Sequence, residues 1–211
     1  ACIGNDKERR NPAWHRLQTP FLERLAEAGA GPDDVDVVLC THLHFDHVGW
    51  FTRWTGERWA PTFPRARYLV ARREWEHWLP LPKHAYVVAD SLQPVADAGL
   101  VDLVEPPCAV TDQVSLEPAP GHTPGHVVVR VRSGGAEAVI TGDSLHHPCQ
   151  VGRPDWSSKA DVDADVAGDT RRRLVDDAAA RRVLLVGTHF AEPAAGFVDG
   201  PPDARRLNPS G

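Results

Sequence analysis

The chain alternates short apolar runs with polar, proline- and glycine-punctuated joints. Phe21, Leu22, Leu25 and Ala28 fall at helical spacing between Pro20, a tolerated first helical residue, and Gly29, so a short amphipathic helix is predicted over Thr19 to Gly29. The run VDVVLCT that follows GPDD is apolar and β-branched, as a buried strand requires, and it leads directly into HLHFDH. RARYLVARREWEHW reads as a strand and then a helix, and SLQPVADAGL as a helix closed by glycine. LVDLVEP, VSLEPAP, HVVVRVRS and AEAVITGD read as strands, with alternation clearest at Val127, Val129 and Val131. Asp163 to Arg182 forms a long polar-faced helix, RRVLLVGTHF a strand ending in a histidine, and the tail after Phe197 a loop. ACIGNDK reads as the end of a strand entering a loop. This order suits an α/β chain whose sheets are covered by helices.

Length narrows the organisation to one domain over residues 1–211. No apolar run approaches the roughly 18 residues of a membrane span, and a net charge of -6 without a basic block disfavours nucleic acid and acidic lipid. A small-molecule substrate is the expected partner. Nothing in the sequence marks the oligomeric state, with a homodimer among the options, or the compartment, where the cytoplasm is the favoured expectation. Methionine is absent even at position 1, and no signal peptide is recognisable, so the true N-terminus is expected to lie upstream. Cys2, Cys40, Cys108 and Cys149 form no CxxC pair and are read as mostly buried free thiols.

The chemistry concentrates in the histidines. In an extended segment His42 and His44 point to one side, and Asp46 and His47 follow at once. A lone histidine is more often a hydrogen-bonded core residue than a ligand. HLHFDH, however, is joined by His122 in GHTPGH, Asp143 in TGDS and His189 in GTHF, each just after a strand-like run. One ion with about three protein ligands would be oversupplied, whereas two ions sharing Asp143 use them all. A closed zinc finger is disfavoured because the cysteines are unpaired. His126 suits a supporting role, Gly121 and Gly125 suit a tight loop, and two of Phe45, Trp50, Trp54, Trp59 and Phe190 are expected to wall a pocket.

These motifs resemble those of the metallo-β-lactamase fold hydrolases, whose HxHxDH signature is met by His42, His44, Asp46 and His47. The resemblance implies an αββα sandwich, with His42, His44 and His122 on one ion, Asp46, His47 and His189 on the second, and Asp143 between them. It also implies strands upstream of ACIGNDK that this sequence lacks, so an N-terminally truncated fragment is expected. CIGNDK, HVGWFTR, ERWAPTFPRARYLV and the spacing of Gly142, Asp143, His146, His147 and Gln150 are similar to the branch of methyl parathion hydrolase and the acyl-homoserine lactone lactonases. The lactonases carry a tyrosine where this chain has His146.

The resemblance implies two divalent ions, zinc first and manganese, cobalt or iron as alternatives. Paired ions roughly 3.5 to 4 Å apart can hold a hydroxide at neutral pH, the expected nucleophile. The expected activity is hydrolysis of a small carboxylic ester or lactone, or of a phosphotriester. A thioester hydrolase, a β-lactamase and a non-catalytic metal binder are the alternatives. Asp46 and His146 are the candidate catalytic residues, His146 as a hydrogen-bond donor to the reacting or leaving oxygen.

Overall fold

A computed structural model describes residues 3–209 and divides the chain into two compact units, one ending at Val104 and the other beginning at Glu105. The first unit contains α1 (Phe21–Glu27), β1 (Val37–Leu39), the hairpin β2 (Thr52–Trp54) and β3 (Trp59–Pro61), β4 (Arg67–Ala71) and α2 (Arg72–Trp78). A run of helical turns follows, made of α3 (Ala85–Val87), a π-turn (Val88–Leu92) and α4 (Gln93–Asp97), before β5 (Val101–Val104). β4 is the central strand of a parallel sheet ordered β1-β4-β5. Tyr68, Leu69, Val70 and Ala71 are all buried, which explains why that strand is continuously apolar rather than alternating. Leu43, Val48, Phe51, Trp78, Leu92 and Val95 share its core.

Parallel pairing has a consequence for function. β1 and β4 run the same way, with Leu39 opposite Leu69, so the segment after β1 and the helix after β4 leave the sheet at one edge. HLHFDH and the first turn of α2 are therefore neighbours.

The start of the chain is anchored differently from expectation. Residues 3–7 contain no strand, and residues 1 and 2, including Cys2, lie outside the described residues. Instead Lys7 is fully buried, donating to Thr52 Oγ1 at 2.6 Å, Ser91 Oγ at 3.1 Å and the Asp90 carbonyl. Its ammonium lies 3.7 Å from the centre of the Trp59 ring. Arg9 pairs with the Asp90 carboxylate at 2.6 Å. Burial lowers the Lys7 pKa to about 7, against the opposing pull of Asp90.

The second unit is a mixed seven-stranded sheet ordered β12-β11-β10-β9-β8-β7-β6. Its strands are β6 (Cys108–Ala109), β7 (Val114–Pro118), β8 (Val127–Ser133), β9 (Ala136–Ile140), β10 (Leu184–Val186), β11 (Ala195–Asp199) and β12 (Arg206–Asn208). α5 (Cys149–Gly152) and α6 (Ala164–Arg181) lie between β9 and β10 in the chain. Asp163 caps α6 by accepting the Val166 N–H, and Arg182 ends it in the left-handed region at φ 53°. Leu145, Val175, Ala178, Val183 and Leu185 belong to the core of this unit.

Two expectations are corrected here. The tail after Phe197 is not all loop: β11 and β12 pair antiparallel, Phe197 opposite Asn208. Alternation in the β11 sequence AGFVD is too weak to read, and Pro201 and Pro202 lie in the connection rather than breaking the strands. The described cysteines are free, but only Cys40 is buried; Cys108 is half-buried and Cys149 exposed. Among the described residues, no helix is long and apolar enough to cross a membrane.

Candidate metal centre

In the first unit the ligand candidates occupy the segment immediately after β1. His42 is fully buried, and its Nε2 lies 3.0 Å from His44 Nδ1, while Thr41 Oγ1 lies 3.1 Å from His42 Nδ1. Two nitrogens about 2.05 Å from one tetrahedral ion would be about 3.3 Å apart, so this pair has the spacing of two ligands on one metal. A turn in which the His47 N–H donates to the His44 carbonyl at 3.0 Å folds His47 back, with its ring 4.1 Å from that of His42. Asp46 Oδ2 lies 3.7 Å from His47 Nε2. All four residues of the motif are thus gathered within one loop.

In the second unit the sheet order does the gathering. β8 is antiparallel to β9 and β10 is parallel to it. The loop entering β8 and the loops leaving β9 and β10 consequently emerge at one edge, carrying His122, Asp143 with His146, and His189. Asp143 is 3% exposed, and three imidazoles face it. Its Oδ2 lies 3.4 Å from His122 Nε2 and 3.3 Å from His146 Nε2, and its Oδ1 lies 3.2 Å from His189 Nε2.

Asp161, which is not among the residues expected from the sequence, sets the tautomer of one imidazole of this array, His122. Its Oδ1 lies 3.0 Å from His122 Nδ1, both side chains being fully buried. Its Oδ2 accepts from the Ser158 N–H at 3.0 Å and from Arg171 at 3.1 Å. Burial alone would raise the Asp161 pKa, but the bonds from His122 and Ser158 and the Arg171 guanidinium hold it below the ordinary carboxylate value. An ionised carboxylate keeps the proton on His122 Nδ1 and turns the Nε2 lone pair toward Asp143. An acceptor facing a carboxylate oxygen at 3.4 Å is unfavourable unless a cation is shared, so the donor set fits a metal.

Main-chain bonds from Val162 N–H to the His122 carbonyl and from Asp163 N–H to the Gly121 carbonyl, both 3.0 Å, dock the Asp161 loop on GHTPGH. Gly121 has φ +127°, and a Cβ there would meet Ala167 N at 2.2 Å, so glycine is required for both conformation and space. Gly125 is not among the glycines with positive φ. His126 is buried, and its Nε2 accepts the Asp143 N–H at 3.0 Å, so this histidine fixes the backbone of Asp143. His147 is exposed, its Nδ1 accepting the Cys149 N–H at 3.1 Å.

The aromatic residues separate. Trp50 and Phe190 are buried, Phe45 packs on exposed Trp14 with ring centres 5.3 Å apart, and Trp54 and Trp59 line clefts beside the hairpin.

The model of the metallo-beta-lactamase superfamily matches residues 6–200. The chain belongs to this superfamily. A probable metallo-hydrolase of Mycobacterium tuberculosis is 27% identical over 151 residues, covering 63% of this chain and 46% of the relative. The match thus spans about half the relative's length. An N-acyl homoserine lactonase of Agrobacterium fabrum is 38% identical over 56 residues, 23% of this chain and 20% of that protein. Among solved structures, a probable metal-dependent hydrolase from Staphylococcus aureus gives a TM-score of 0.82 at 22% identity, covering 99% of this chain and 76% of that one. The dizinc quorum-quenching lactonase AidC gives 0.78 at 22% identity, covering 93% and 72%. At such identities the likeness establishes the fold, the α/β fold of the metallo-beta-lactamase superfamily.

Proposed function

We propose that residues 1–211 act as one domain of a metal-dependent hydrolase with two divalent ions, zinc being the first candidate. His42, His44 and His122 would hold one ion, Asp46, His47 and His189 the other, and Asp143 both. The observation carrying this reading is the convergence of three imidazole Nε2 atoms on the two oxygens of the buried Asp143 carboxylate, with Asp161 setting the tautomer of His122. When bound, the ions supply a lower pKa for water and an electrophilic partner for a carbonyl or phosphoryl oxygen.

The chain's own residues set the rest. Asp161 keeps the His122 proton on Nδ1. His126 and Thr188, whose hydroxyl donates to Asp143 Oδ1 at 3.3 Å, hold Asp143 from its backbone and its carboxylate. His146 is partly exposed, and its buried Nδ1 has no hydrogen-bond partner among the described residues, while its Nε2 faces Asp143 Oδ2 at 3.3 Å, which favours the proton on Nε2. It is suited to donate a proton at Nε2 to a departing oxygen. The substrate class is a small carboxylic ester or lactone, and His146 in place of a tyrosine also favours a phosphotriester. A turnover panel of lactones, aryl esters, phosphotriesters and a chromogenic cephalosporin on the metal-loaded full chain tests this. Hydrolysis of the first three groups is expected; two bound ions with no turnover of any member would instead indicate a metal-binding protein.

A further inference from the structure

Leu43 separates the two histidines whose ring nitrogens face each other, and its backbone N–H is engaged by a side chain from outside the motif. It donates to Glu74 Oε1 at 3.0 Å. Leu43 and Glu74 are essentially fully buried, and His84 is 5% exposed. The same Glu74 oxygen accepts from Trp78 Nε1 at 2.6 Å. Trp78 in turn packs on both sides of the arrangement, its ring 5.0 Å from that of His44 and 4.6 Å from that of His84.

Glu74 reaches this position because β4 runs parallel to β1, which places the first turn of α2 beside the segment leaving β1. In an extended segment the side-chain directions at 42 and 44 are set by the peptide orientation at 43. A peptide held at the Leu43 N–H resists the rotation that would splay the two imidazoles.

We propose that Glu74 is a positioning residue for the His42–His44 pair, holding the Leu43 backbone while Trp78, bonded to the same carboxylate, packs on the His44 ring, so that both rings are set for one metal ion before it arrives. Neither Glu74 nor Trp78 touches the reacting atoms. The inference rests on the metal reading above and adds the second layer that makes the first ion's site rigid.

The test compares the full chain with Glu74→Leu, Glu74→Gln and Trp78→Phe. Zinc affinity is measured by competition with a chromophoric chelator, the visible spectrum is recorded with cobalt(II) in place of zinc, and thermal unfolding is followed on metal-free samples. Glu74→Leu removes the acceptor and should weaken binding of the tighter ion about 10- to 100-fold and shift the cobalt bands. Glu74→Gln retains an accepting oxygen and should recover most of the loss. Trp78→Phe keeps a ring against His44 but loses the bond that orients the Glu74 carboxylate, and should weaken affinity and shift the cobalt bands. Should Glu74→Leu fail to fold, Trp78→Phe decides. Wild-type affinity and cobalt spectrum in a folded Glu74→Leu, or in Trp78→Phe where Glu74→Leu does not fold, would overturn the inference. Failure of the wild-type chain to bind zinc would instead overturn the metal reading itself.

Discussion

Asp161→Asn separates the two roles of one buried carboxylate. The substitution keeps the side chain's shape but removes the charge that Arg171 pairs with at 3.1 Å, where both side chains are fully buried. Arg171 retains bonds to the Pro154 carbonyl at 2.8 Å and to Ser157 Oγ at 3.4 Å, and no other acidic side chain pairs with it among the described residues. Stranding one member of a buried pair costs about 3–5 kcal/mol. At about 2–4 °C per kcal/mol for a chain of this size, the metal-free unfolding midpoint should fall by about 6–20 °C. Independently, the amide no longer holds the His122 proton at Nδ1 as a carboxylate does, so zinc affinity should fall about 10- to 100-fold. Adding Arg171→Met distinguishes the effects. Removing the stranded guanidinium should restore much of the stability and none of the metal affinity. The assay is differential scanning calorimetry beside chelator competition on the single and double variants. An unchanged midpoint in Asp161→Asn, or recovery of both properties together in the double variant, would refute the reasoning.

Other consequences are equally concrete. Gly121→Ala forces a Cβ onto the Ala167 backbone at a positive φ, and should cost about 2–5 kcal/mol by denaturant unfolding; a loss under 0.5 kcal/mol would mean that the loop yields freely. The buried Lys7 has a folded pKa of about 7, below its unfolded value of 10.5, so the unfolded chain binds more protons between those limits and stability rises with pH there. Relative to Lys7→Met, the wild type should gain up to about 1.4 kcal/mol per pH unit from pH 7 toward 10, and a flat difference would contradict the burial argument. His146→Ala should reduce kcat more than zinc affinity, and a selective loss of metal would make this histidine a ligand instead.

Much of the frame was legible because it is periodic or punctuated. The β4–α2 succession, the strands from Val114 to Ile140 and the Asp163-capped helix match the pattern of apolar runs and breakers. HLHFDH was legible because four donors in one short stretch have no ordinary core role. Asp161 and Glu74 were not legible, for a common reason. Each bonds a residue distant in sequence, His122 in one case and Leu43 in the other, and each sits where local sequence suggests a solvated face. SSKADVD looks like a polar loop, and RREWEHW like a charged helix; only parallel β1–β4 pairing and the docking of the 158–163 loop turn their acids inward. The final hairpin is not legible in the sequence because β11 has an alternating burial pattern with little hydrophobic alternation to announce it.

A paired-ion centre built from dispersed histidines and aspartates is tested by metal content, read by plasma mass spectrometry after zinc loading and desalting, on the full chain and on Asp143→Ala and His122→Ala. About two ions per chain are expected in the wild type and about one in His122→Ala, with ester hydrolysis abolished in both variants. Stoichiometric zinc that survives both substitutions, or no retained zinc in a folded wild-type chain, would contradict it.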